Sequence, residues 1–240
     1  MTIKESIQSF WHETTRRYKP TELQEHISKT YRGMRRATVI FACSWPLILW
    51  LYGLFVFNIE LQGSMSAYYH TPMRNWFVGV CFILGVLLWV YRGFGRLENW
   101  LLNVAGVCAV LVALFPTGTT YAKFHGLFAI IFFSCCAFVC AVESRHTLAG
   151  HPHAKRYRTI YIALGILMFV LPITAWVVSV WINASQPGGR GTWLFWVELF
   201  AVEVFATYWF VKTCEIGSHD IDLATKGKIS FVPAAPQSAH

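Results

Sequence analysis

Six runs of mainly apolar residues divide this sequence, each close to the length of a bilayer-spanning helix, and they leave the chain few architectures. A helix needs about 20 such residues to cross a hydrocarbon core. The runs lie near 37–57, 76–92, 99–116, 122–142, 159–182 and 193–213. No water reaches a lipid interior, so each run must pair its own backbone N–H and C=O groups. The expected fold is therefore all-α: a polytopic membrane protein with six transmembrane helices in one bundle. Residues 1–36 read as a cytoplasmic, partly helical N-terminal segment, 37–213 as the transmembrane domain, and 214–240 as a flexible cytoplasmic tail. Ile7, Phe10 and Trp11 give the N-terminal segment an apolar face that could lie on a membrane, and Pro172 is the expected kink of the fifth helix.

Charge placement orients the bundle. Eight Lys and Arg precede the first run, two lie in the second loop, four in the fourth, and three at or beyond the last run. The opposite side holds only Arg74, Lys123 and Arg190. Basic residues accumulate on the cytoplasmic side, so an N-in/C-in topology is expected. The same placement argues against nucleic acid as a partner, despite the net charge of +8. Only 13% of residues are charged, against about 25% in soluble domains, which argues against a soluble enzyme. Eleven Trp suit membrane–water interfaces. No cleavable leader is visible, and the first helix is expected to serve as an uncleaved signal anchor. The seven Cys fall in or just after apolar runs and read as packing residues rather than a disulfide framework.

Polar chemistry concentrates on the external side. The first external loop, from Glu60 to Arg74, carries Ser64, Ser66, Tyr68, Tyr69, His70 and Arg74 within fifteen residues. If its centre is α-helical, Ser66 and His70 share a face at i, i+4, and a Ser beside a His can be an activated nucleophile. The alternative is a polar cap that seals helix ends. His125 opens the fourth helix. Glu198 lies roughly 8 Å into the sixth, at 1.5 Å per residue. A carboxylate at the centre of a spanning helix costs about 2.5–3.5 kcal/mol, less near the interface, and needs a partner. Glu198 with His125 is a candidate acid/base pair, and an interhelical hydrogen bond that only fixes packing is the competing reading. Ser66, His70, His125 and Glu198 are the catalytic candidates; Ser64, Tyr68, Tyr69 and Arg74 are the ligand-binding ones. Glu203 projects about 140° away from Glu198, with Asn103 a partner by residue type. His146, His151 and His153 read as a solvated basic loop. Asn183-Ala184-Ser185 fits an N-glycosylation pattern. His70, His125 and Glu198 would make a His₂Glu metal set, but the His-Glu-x-x-His spacing is absent, and neither metal nor cofactor is expected.

Several of these residues occur in an order that resembles the DRAM/Frag/Sfk-type multi-pass membrane proteins and related bacterial proteins. They are Ser64-Met65-Ser66 with Pro72 and Phe77 following, Ala105-Gly106 in the third helix, His125-Gly126 opening the fourth, and Glu198 in the outer half of the last. The similarity extends over about residues 40–213. It departs after the Ser pair: the family continues with Asp-Thr-Gly, and this chain with Ala67-Tyr68-Tyr69-His70. The resemblance implies about six helices, a cytoplasmic N-terminus, and a role in lipid remodelling, including that of GPI-anchor lipid, or in membrane organisation.

Two functions from different classes follow. One is a lipid-handling protein with a polar site in the external leaflet, performing acyl or headgroup transfer or hydrolysis. Glu198 and His125 would be its acid/base pair, Ser66 or Tyr69 its nucleophile or binding hydroxyl, and Arg74 its phosphate contact. The other is a non-catalytic accessory or scaffold subunit that binds lipid, a membrane-protein partner or a second copy of itself. A small transporter is the weaker third, because no inverted repeat is visible. A bacterial inner membrane is the expected location.

Overall fold

The computed structural model describes residues 20–118, 122–185 and 191–225. The expected amphipathic stretch around Ile7, Phe10 and Trp11, the loop residue Arg190, and the tail with Lys226 and Lys228 lie outside the described residues. The chain divides into two compact units, Met1–Met34 and Arg35–His240. Within the first, residues 20–34 are helical, and Thr30 Oγ1 donates to the His26 carbonyl at 3.0 Å.

Regular structure among the described residues is entirely helical. Helix α1 (Pro20–Leu47) runs through a π turn, Ile48–Tyr52, into a last α segment, Gly53–Phe57. Pro46 lies just before that π turn; it lacks the N–H of a regular helix, and such departures cluster at proline. Then follow α2 (Arg74–Val90), α3 (Arg96–Leu114), α4 (Ala122–Ala141), α5 (Ala154–Ser185) and α6 (Trp193–Thr225). Short 3₁₀ turns cover Ser66–His70 and Glu143–Thr147. Five helices are long and apolar enough to cross a membrane, and α2 is a shorter apolar helix. The sixth helix extends to Thr225, past its expected end near 213, so the start of the expected flexible tail is helical. The sequon residues Asn183–Ser185 form the end of α5.

Successive helices from α2 to α6 pack as neighbours. Small residues set the closest crossings. A Cβ on Gly85 of α2 would meet the Gly106 carbonyl of α3 at 2.7 Å, and one on Gly106 would meet the Gly85 carbonyl at 2.6 Å. A Cβ on Gly165 of α5 would lie 2.7 Å from that of Ala141 on α4. Such approach is how helices gain packing energy where lipid removes the hydrophobic drive. Helix α6 returns to α1, with Trp50 edge-on to Trp196 at 5.2 Å and Glu203 bonded to Cys43. Glu203 therefore pairs across α1/α6, and Asn103 is not its partner.

The surface is as oily as the interior. Phe55 is 79% exposed, Trp181 69% and Trp100 61%, and α5 turns Ile166, Phe169, Val170 and Val177 outward. A large exposed apolar surface in a folded chain marks a non-aqueous neighbour. The helices are compatible with a multi-pass membrane protein.

At the end of the bundle that carries the α2–α3 and α4–α5 connections, an ionic cluster is sealed from solvent. Lys212, counted with the tail-side basic residues, is only 1% exposed. Its Nζ lies 3.1 Å from Glu215 Oε2 and donates to Thr147 Oγ1. Tyr161 donates to the same carboxylate oxygen at 2.7 Å, and Thr147 at 3.1 Å. Glu98 and Glu143 are buried at the same end, Glu98 accepting from Phe94 N–H at 2.8 Å. His151, expected in a solvated loop, is buried, and its Nδ1 accepts from His153 N–H at 3.0 Å.

Two outcomes are expected from detergent melts followed by circular dichroism. Gly85→Ala and Gly106→Ala should each destabilise by about 1–3 kcal/mol, while Gly79→Ala, which meets open space, should not. Lys212→Met should cost about 3–5 kcal/mol by leaving a buried carboxylate unpaired, and adding Glu215→Gln should recover much of that loss.

Candidate functional site

The connection between α1 and α2 folds inward as a plug. It leaves α1 at Asn58, whose φ of 53° is left-handed, a conformation asparagine tolerates. Met65, Tyr68 and Met73 are buried, and Tyr68 packs on Phe195 with ring centroids 6.0 Å apart. Two bonds clip the plug to α6. Phe195 N–H, one of the orphan donors of a helix N-terminus, donates to the Gly63 carbonyl at 3.1 Å. In return Met65 N–H donates to Glu198 Oε2 at 2.6 Å, and Ser66 N–H faces the same carboxylate. Bonds from backbone N–H groups to a carboxylate are charge-assisted and strong.

Beneath the plug lies a cavity of about 690 Å³. Ser64, Ser66, His70, His125 and Glu198 all line it, so four sequence-predicted catalytic candidates and one ligand-binding candidate meet at one space. The rest of the wall is mainly apolar, including Phe77, Phe132, Ala175, Trp176, Ala201 and Phe205. Pro172, the expected kink residue, also lines it.

The polar groups are held by separate anchors. Ser64 Oγ and Ser66 Oγ lie 3.1 Å apart, and Ala67 N–H donates to Ser64 Oγ at 3.1 Å. His125 is buried, and its Nδ1 lies 3.0 Å from the Val112 carbonyl and 2.9 Å from that of Phe115. Only a protonated Nδ1 satisfies those acceptors, so in the neutral ring Nε2 is the free lone pair. Phe77 stacks on the ring at 6.5 Å between centroids. His70 points its Nε2 to the Thr117 carbonyl, beside Gly118. At Gly118 φ is +78°, which favours glycine, and a Cβ there would crowd that nitrogen at 3.3 Å.

The expected i, i+4 pairing of Ser66 with His70 does not form. Ser66–His70 is a 3₁₀ turn, and at three residues per turn these positions stand about 120° apart. Among the described residues no hydrogen bond joins Ser66, His125 and Glu198 side chains to one another. Tyr68, Tyr69 and Arg74 lie outside the cavity lining. Arg74 donates to Tyr69 OH at 2.6 Å and lies over its ring. Tyr68 packs inward, and burial pushes its phenol up from the ordinary value. Among the described residues the cation that lines the cavity is Lys123, counted from sequence as an external charge just before His125 but not among the ligand-binding candidates. Among the described residues no three His, Cys, Asp or Glu are grouped to hold a metal ion.

Glu198→Ala should orphan two N–H groups and loosen the plug, read as faster amide exchange over residues 60–72 by mass spectrometry. Glu198→Gln, which keeps an acceptor oxygen, should exchange more slowly than the alanine variant; equal rates in both and in the unaltered protein would remove Glu198 as the clip.

No family model, curated protein or solved structure matches the chain.

Proposed function

We propose that this chain crosses the membrane six times with both ends cytoplasmic, and that it binds an amphipathic lipid in the cavity beneath the plug. The single observation that carries this reading is a cavity with polar groups at one end and apolar walls over the rest. Its volume falls within the range of small-molecule sites, about 300–1,000 Å³. Along α4 its lining runs from Lys123 to Phe133, roughly 15 Å at 1.5 Å per residue, a depth suited to part of an acyl chain. Lys123 would meet an anionic headgroup, and Ser64, Ser66 and His125 would supply hydrogen bonds. Helix α2, at 17 residues, is short for a bilayer core of about 30 Å, a mismatch that local thinning accommodates. The Lys and Arg bias supports the orientation, and the residues shared with DRAM/Frag/Sfk-type proteins support a lipid role.

Binding without chemistry, as in an accessory subunit, is favoured because Ser66 hydroxyl pairs with Ser64 Oγ and, among the described residues, makes no hydrogen bond to the side chain of Glu198 or His125. Acyl or headgroup transfer is a second reading, favoured by one observation: the anchored Nδ1 of His125 leaves Nε2 as the lone pair of a general base.

Lipids retained by the purified protein are expected to include one species that disappears when Ala175→Trp and Ala129→Phe fill the cavity, measured by mass spectrometry of solvent extracts. An unchanged lipid profile in folded filled-cavity variants would sink the binding reading. Lipidomics of a deletion strain complemented with His125→Ala separates the two readings: transfer chemistry requires a lipid change that this variant fails to restore.

A further inference from the structure

A second, smaller cleft of about 170 Å³ opens between α4 and α5 at the end away from the plug. Cys140, Ala141, Tyr161 and Ile162 form its floor and wall, and Arg145 and Arg158 flank it. Both arginines are exposed, and among the described residues neither guanidinium has an ion pair or a hydrogen bond. The carboxylates of this end are engaged elsewhere: Glu143 lies 3.4 Å from His146, and Glu215 binds Lys212, Tyr161 and Thr147. Two uncompensated guanidinium groups therefore stand beside one concave, partly apolar space. From the cleft an exposed apolar ridge runs on along α5, through Ile162, Ile166, Phe169 and Val170.

We propose that this cleft binds the headgroup phosphate of an anionic phospholipid, with its acyl chains lying along the α5 ridge. Guanidinium is a planar fork that matches phosphate oxygens, and basic pockets between spanning helices on the cytoplasmic side suit anionic headgroups. The ridge distinguishes a lipid from free phosphate, because only a lipid gains from apolar surface continuous with the cleft. The inference rests on the membrane reading and is independent of whether the larger cavity holds a ligand.

The test uses the full chain purified in neutral detergent and titrated with dioleoyl phosphatidylglycerol, dioleoyl phosphatidylcholine or inorganic phosphate, with retained lipid counted by native mass spectrometry and stability followed by melting. Phosphatidylglycerol should be retained in preference to phosphatidylcholine. Arg145→Gln and Arg158→Gln should each weaken that retention about fivefold or more, and Arg156→Gln, on the same basic end but outside the cleft, should not. Arg145→Lys and Arg158→Lys keep the charge that sets topology and should fall between; they decide the matter if the glutamine variants do not fold. Equal retention of the two lipids, equal loss in Arg156→Gln, or full stabilisation by inorganic phosphate alone would each overturn the assignment.

Discussion

Glu198 sits within an apolar helix, where a carboxylate without donors is among the costlier things a chain can bury. The α1–α2 connection supplies those donors as backbone N–H groups of Met65 and Ser66. That demand draws the plug onto α6, and Phe195 N–H returns the contact at Gly63. With the plug fixed there, Ser64 and Ser66 are held over the space between the helices. The cavity, its polar end and the seating of α6 all follow from one acidic side chain and the need to surround it.

The opposite end solves a similar problem by different means. Lys212 and Glu215, one turn apart on α6, neutralise each other and borrow hydroxyls from Thr147 and Tyr161. Between the two polar ends the helices are tied by close backbone approach, most tightly where Gly85 meets Gly106. Polar groups thus fix the ends and small residues fix the middle, as expected where lipid competes equally for every apolar side chain.

Much of this was legible in the sequence. The apolar runs give the helices because their length and continuity are imposed by a bilayer. Ser64, Ser66, His125 and Glu198 were readable as exceptions to an apolar rule. Their partners were not. A backbone N–H has no sequence signature, so nothing in the residue order reveals that Glu198 is held by the chain at Met65 rather than by His125. The same limit hides Lys212: a lysine at the end of an apolar run reads as a topology charge, and nothing in the residue order shows that Tyr161 and Thr147, distant in sequence, share its carboxylate partner. The pairing of Ser66 with His70 fails because i, i+4 spacing presumes α geometry, and the loop takes a 3₁₀ turn instead.

The Lys212–Glu215 pair and Glu198 all lie on α6, which is synthesised after the five helices before it. Every group that shelters them, from Met65 and Ser66 to Thr147 and Tyr161, belongs to chain made earlier. Helix α6 can therefore settle only where those earlier segments are already in place, and its own charged groups make its seating depend on order of synthesis. A chain stopped before residue 193 would leave the N–H groups of Met65 and Ser66 and the hydroxyl of Tyr161 without the carboxylates that accept from them.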